Sequence, residues 1–201
     1  MSNLPEIKFI FFDINGVLCY TGDVYDALAE EFGVSVKDLT LIYEKHASKI
    51  DSGKMSFKEF WGALNKSFGT EIPEVDLKEL YIHKRVPVKK VHEFAEEMSK
   101  KMGVGILSNL GKGSFDDFTS CGAIPSVEWD AVVISSEVGF VKPQESIFEK
   151  AEEMCGFSGE EILLIDDYPE NIRGAVKFGW SGTRFDPKNS RESLAKIQSL
   201  L

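Results

Sequence analysis

The stretch Ile7–Leu18, reading Ile-Lys-Phe-Ile-Phe-Phe-Asp-Ile-Asn-Gly-Val-Leu, constrains the fold more than any other part of the chain. Its continuous apolar run ends in Asp13 and breaks at Asn15-Gly16, the pattern of a strand buried on both faces that ends in a loop. Asp13 is therefore expected at the carboxyl end of a central strand. In open parallel α/β sheets, ligands gather outside those ends, where loops from several strands bring side chains together. A lone Asp at a strand end also serves as a turn cap, so other strand ends must converge on Asp13 before it becomes a candidate for chemistry.

The rest of the chain alternates helical and strand patterns. Val24, Leu28 and Phe32 have helical spacing and close at Gly33, and Ser35 to Ile50 reads as a helix with Leu39, Ile42 and Tyr43 on one face. Ser56-Phe-Lys-Glu59 is a capping box that opens a helix through Phe57, Phe60, Trp61, Leu64 and Phe68. Pro73 to Lys84 is a shorter helical segment. No strand is expected between about Cys19 and Val86, so residues 19–86 read as a helical subdomain inserted into an α/β core formed by 1–18 and 87–201. In that second part, a helix over Pro87 to Met102 leads into the strand Val104–Leu107, which ends in Ser108-Asn109. A helix near Ser114 to Cys121, the strand Ala131–Ile134, a loop with Lys142-Pro143 and a helix over Gln144 to Cys155 follow. The strand Ile162–Ile165 ends in Asp166-Asp167, and Pro169 suits the first turn of the next helix. A short strand, Gly182 to Phe185, and a helix from about Ser190 close the pattern.

With 43% hydrophobic and 28% charged residues in 201, the chain has an ordinary soluble composition and a sizeable core. A net charge of −10 argues against nucleic acid or an anionic membrane as the main partner, since both select basic surfaces. A phosphorylated ligand would need local cations or a metal. Cys19, Cys121 and Cys155 are odd in number, widely spaced and without a CxxC pair, which predicts reduced thiols. The first residues show no signal-peptide pattern and no run reaches transmembrane length, so the expected location is the cytoplasm.

If the sheet is parallel, Asp13, Ser108 with Asn109, the Lys142 loop and Asp166-Asp167 all lie along one edge. Three carboxylates then meet one ammonium and one hydroxyl. Crowded carboxylates call for a cation, and a site with few protein oxygens suits Mg²⁺, which keeps water and shares phosphate oxygens. Lys142 and Ser108 are placed to hold the other phosphate oxygens.

Four motifs, Phe12-Asp13-Ile14-Asn15-Gly16-Val17, Leu107-Ser108-Asn109, Val141-Lys142-Pro143 and Ile165-Asp166-Asp167-Tyr168-Pro169-Glu170-Asn171, stand in order over nearly the whole chain. In this they resemble the haloacid dehalogenase-like superfamily, and specifically its small phosphatases with a helical cap inserted after the first strand. The resemblance implies a Rossmann-like parallel sheet with helices on both faces. It also implies a Mg²⁺-dependent phosphohydrolase of small phosphate monoesters working through an aspartyl-phosphate. Asp13 matches the nucleophile. Ser108, Asn109 and Lys142 match the substrate-binding positions, and Lys142 also offsets the charge on Asp13. Asp13, the backbone carbonyl of Asn15, and Asp167 match metal ligands, with Asp166 a further ligand or an acid behind one.

Asn15 departs from the family, whose phosphatases carry at this place an Asp that protonates the leaving oxygen and then activates water. A neutral amide does neither, so impaired turnover is expected. A homologue that binds a phosphorylated ligand or partner without turnover is the alternative. The family's dehalogenases usually have an aromatic residue there, and this chain does not. His46, His83 and His92 fall on helix surfaces, the aromatic residues of 57–68 read as the core of the insertion, and Tyr20, Thr21, Asp23 and Tyr25 face either substrate or a hinge.

Overall fold

A computed structural model of the protein describes residues 6–201; the first five residues, on which the expected absence of a signal peptide and the start of the expected core segment 1–18 partly rest, lie outside it. The chain runs β1 (Phe9–Phe12), β2 (Cys19–Tyr20), α1 (Val24–Phe32), α2 (Val36–Asp51), α3 (Phe57–Phe68), α4 (Glu74–His83), β3 (Val86–Pro87), α5 (Lys89–Met98) and β4 (Gly103–Ser108). It continues through α6 (Ser114–Ser120), β5 (Ala131–Ile134), α7 (Ser135–Val138), α8 (Glu145–Cys155), β6 (Ile162–Asp166), α9 (Pro169–Phe178), β7 (Ser181–Arg184) and α10 (Ser190–Gln198).

The main sheet has the order β5-β4-β1-β6-β7, and every pairing is parallel. β1 is central because it has no polar face: Phe9 and Phe11 point into one apolar cluster with Leu107, Phe148 and Trp180, while Ile10 and Phe12 point into another with Val91, Phe94 and Phe118. Helices α8 and α9 cover the first face and α5, α6 and α10 the second. Phe11 stacks on Trp180 with ring centroids 5.4 Å apart. This is an α/β architecture with helices on both faces.

Between β2 and β3, helices α1–α4 bury their own cluster, in which Leu28, Leu39, Phe60, Trp61, Leu64 and Leu77 lie within 3% exposure or less. The Ser56–Glu59 capping box starts α3, and Gly69 ends it in the left-handed region. The structure differs from the sequence reading at both ends of the insertion. Cys19–Tyr20 and Val86–Pro87 pair antiparallel at the two ends of the insertion, strands too short for any period to show. Because Pro87 belongs to β3, the helix expected from Pro87 begins at Lys89.

The helical segment is tied to the core below it. The Ser135 hydroxyl donates to the carbonyl of Asp51 (2.6 Å) and accepts from the backbone N–H of Leu110 (3.0 Å). Just beyond α2, Gly53 has φ +70° and a Cβ there would stand 2.3 Å from the carbonyl oxygen of Ser136, so only glycine allows this approach.

Candidate active site

The strand order reverses at β1, since β4 lies on one side of it and β6 on the other. The crevice of an open α/β sheet forms at such a point. Phe12 is in register with Ile106 and Ile165, which carries Asp13, Ser108 and Asp166 to one edge.

Asp13 is buried, and its two oxygens are in different situations. Oδ1 accepts from its neighbour's backbone N–H at Ile14 (2.8 Å) and from the Ser108 hydroxyl (2.7 Å), and it pairs with Lys142 Nζ at 3.1 Å. Oδ2 has no hydrogen-bond donor among the described residues and is left to face the cavity. Lys142 has no solvent-exposed side-chain surface; its ammonium spends its remaining protons on Asp166 Oδ2 (2.5 Å) and the carbonyl of Leu107 (2.7 Å). Burial opposes the Lys142 charge, but Asp13 and Asp166 outweigh it and hold the ammonium protonated beyond its usual range. Burial pushes the Asp13 carboxyl up to about 7, against the pull of Lys142 and with Asp166 adding to the rise.

Asp166 is fully buried and fully used. Besides Lys142, it accepts from the backbone N–H of Tyr168 (2.8 Å) and from Asn171 Nδ2 at both oxygens (3.1 and 3.0 Å). Asp167 is half-buried, and its carboxylate takes no side-chain partner among the described residues. Burial raises its carboxyl as well, with Asp166 contributing. Gly16, at φ +81°, makes room for it: a Cβ there would lie 2.3 Å from Asp167 Oδ2.

One oxygen each of Asp13, Asp166 and Asp167 fall within 4.8 Å of one another. Three carboxylates against one ammonium leave negative charge in a low-dielectric pocket. A divalent cation with hard oxygen ligands fits this set. Asp13, Asp167 and the Asn15 carbonyl, which accepts no hydrogen bond among the described residues, are the free donors; Asp166 is committed to Lys142 and Asn171.

The Asn109 amide is occupied at both ends, donating to the Lys142 carbonyl (3.0 Å) and accepting from the Lys142 N–H (2.8 Å). It braces the lysine loop. Of the histidines, His83 pairs with Glu79, His92 sits 2.9 Å from the Leu18 carbonyl and His46 packs near Phe60, and none lines the cavity. Tyr20 and Thr21 do line it, whereas Asp23 pairs with Lys84.

Two residues escaped the sequence reading. Arg85, buried, donates through Nη1 to Asn15 Oδ1 (2.7 Å) and through Nε to the Tyr81 carbonyl (3.3 Å). Its guanidinium lies 4.5 and 4.4 Å from the Tyr81 and Phe118 ring centroids and has no carboxylate partner among the described residues. Nothing in the local sequence marks it, because its partner is 70 positions away. Asp51 lines the same cavity, of about 770 Å³, as Asp13, Asn15, Lys142 and Asp167. It had one signal: it is the last residue of α2, where a negative charge opposes the helix dipole.

Residues 7–179 match the sequence profile of the haloacid dehalogenase-like hydrolases. The chain belongs to this family. An uncharacterized hydrolase of Schizosaccharomyces pombe is 25% identical over 219 residues, spanning 94% of this chain and 95% of that protein. The fold is similar to that of a HAD family enzyme of Bacteroides thetaiotaomicron in complex with magnesium and inorganic phosphate, at TM-score 0.66 and 19% identity over 89% of this chain and 93% of that one. It is also similar to L-2-haloacid dehalogenase of Xanthobacter autotrophicus, at TM-score 0.68 and 20% identity over 96% of this chain and 82% of that one. This HAD-like hydrolase thus shares its fold with members of differing chemistry. Among the described residues, no helix is long and apolar enough to cross a membrane.

Proposed function

We propose that this HAD-like hydrolase is a Mg²⁺-dependent phosphohydrolase of small phosphate monoesters, with α1–α4 as a cap over the site. The observation that carries the reading is the convergence of Asp13, Asp166 and Asp167 within 4.8 Å beside a single lysine. Displacing a halide from carbon needs no cation. A phosphoryl group adds negative charge to a site already short of positive charge, and so requires one.

When bound, Mg²⁺ would offset charge between the carboxylates and the phosphoryl oxygens, held by Asp13, Asp167 and the Asn15 carbonyl. Asp13 Oδ2 is the attacking atom, because Oδ1 is saturated by Ile14, Ser108 and Lys142. Those same bonds fix the carboxylate plane, so little reorganisation remains at attack. The Lys142 charge stabilises the transferring group electrostatically from the core side, while the Ser108 hydroxyl holds Asp13 and Asn109 holds the lysine loop. Asp166 acts from behind, orienting Lys142.

Asn15 cannot move a proton, and its Oδ1 is taken by Arg85. Losing acid–base catalysis at this position costs about 10²–10⁴-fold. Asn15 is also the observation that favours a second reading, a weak or inactive homologue that binds a phosphorylated ligand. An activated aryl phosphate mixed with the protein and Mg²⁺ separates the two. The phosphohydrolase releases the phenol over many turnovers, with an Asp13 phosphoryl adduct trapped only in the first turnover by rapid acid quenching, and Asp13→Asn abolishes both. Tight binding of inorganic phosphate with neither adduct nor phenol would establish the binder.

A further inference from the structure

We infer that Asp51, from the helical insertion, is the general acid and base of this site, in the role that Asn15 cannot fill. The inference rests on the phosphohydrolase reading and deepens it.

Three independent observations converge on Asp51. First, it borders the cavity that holds Asp13, Lys142 and Asp167, on the side facing them from the insertion. Second, its carboxylate has neither a hydrogen-bond donor nor an ion-pair partner among the described residues, although the residue is partly buried. A partly desolvated, unpaired carboxylate at a helix C-terminus is unfavourable on both counts, so structure alone gives no reason for an acid there. Third, its backbone is anchored. Ser135 binds its carbonyl, Leu110 fixes Ser135, and Gly53 is pressed on Ser136, so the end of α2 that carries Asp51 is pinned to the core at two points.

The ionisable groups around Asp51 are Lys142 from the core, Tyr43 on its own helix, Tyr25 on α1 and Tyr81 on α4. Lys142 is engaged with Asp13 and Asp166, and the three phenols carry no charge near neutrality. Burial, opposed by Lys142, pushes the Asp51 carboxyl up to about 6, so both its forms are accessible at working pH.

The two steps balance as follows. Asp13 Oδ2 forms a bond to phosphorus while the ester P–O bond breaks; its electron pair goes to the ester oxygen, which takes the proton of the Asp51 carboxyl and leaves as the alcohol. The Asp51 carboxylate then takes a proton from water as the water oxygen attacks the phosphorus. The bond from phosphorus to Asp13 breaks, its pair returns to the Asp13 carboxylate, inorganic phosphate departs, and Asp51 is protonated again.

The test compares the full-length protein with Asp51→Asn and Asp51→Ala in excess Mg²⁺, using an aryl phosphate and a sugar phosphate, and follows product release and phosphoprotein by intact mass. The wild-type protein should turn over both esters with little phosphoprotein at steady state. With the aryl phosphate, both variants should release a burst of about one phenol per chain, accumulate phosphoprotein and then turn over about 10²–10⁴-fold more slowly. With the sugar phosphate, whose leaving oxygen needs a proton, they should form phosphoprotein slowly as well. The wild type should show a pH dependence of kcat near 6 that both variants lose, while the variants melt no lower than the wild type. Equal steady rates in variants and wild type, or a wild-type protein that itself accumulates phosphoprotein, would overturn the role of Asp51 and leave Asp13 standing as nucleophile. Absence of phenol and adduct in every form, wild type included, would overturn the phosphohydrolase reading itself.

Discussion

The asymmetry of Asp13, with one oxygen saturated and one free, comes from three neighbours that supply donors to a single atom. Asn15 is held by a different device, the buried cation of Arg85 set between two aromatic rings. Arg85→Ala removes that stacking and leaves the side-chain Oδ1 of Asn15 without its donor. It should destabilise the protein by about 2–3 kcal/mol, read by urea unfolding, with Arg85→Met losing less because it keeps the packing. Asp51 makes the opposite prediction. Its carboxyl ionises at the ordinary aspartate value of about 4 when unfolded and at about 6 when folded, so between these values the folded state holds the extra proton. Stability therefore falls as pH rises from about 4 to 6 and stays at the lower level above. At about 1.4 kcal/mol per pH unit between the two values, the cost is up to ~3 kcal/mol. Asp51→Asn should accordingly be more stable than wild type at pH 8 in urea titrations, and the difference should shrink toward zero as pH approaches 4. A stability cost kept at a cavity wall is what a functional group looks like.

Among the elements, the four-residue α7 has a role out of proportion to its length. It begins directly at the end of β5, closes at Gly139 in the left-handed region and carries Ser135, whose hydroxyl links β4's following loop to the end of α2. Ser135→Ala would leave the buried Leu110 N–H unpaired, which costs about 1–3 kcal/mol. It should also loosen Asp51, so kcat should fall while the binding of inorganic phosphate, measured by calorimetry, should stay close to wild type. A fall in phosphate affinity as large as the fall in kcat would instead place the effect in the core site. The strands β2 and β3 work at the same scale: they close the insertion at its base, two residues each.

For the molecule as a whole, the site concentrates negative charge in a chain that already carries −10. A cation bound only in the folded state should raise the unfolding midpoint, by about 2.7 kcal/mol of stability at a hundred times its dissociation constant. Calorimetric scans with and without Mg²⁺ should show this rise, and Asp167→Ala, which deletes the unpartnered carboxylate, should abolish it. Identical midpoints for the wild type in both conditions would remove the metal from the site.

The four strand-end motifs and the alternation of apolar segments were legible because each is local: a run buried on both faces, a break, and a polar group at the break. From these follow the parallel α/β core, the expectation that Asp13, Ser108 and Asp166 share one sheet edge, and the likeness to the family that residues 7–179 match. How those residues divide their work became visible once the chain was folded. Asp166 and Asn109 proved to be spent on neighbours, Asp167 and one oxygen of Asp13 to be free, and Arg85 and Asp51 to stand beside them. The physical reason is range. Burial and alternation repeat every two to four residues along the chain, whereas a hydrogen bond between positions 15 and 85, or a cavity shared by positions 13 and 51, exists only once the insertion has folded back onto the sheet.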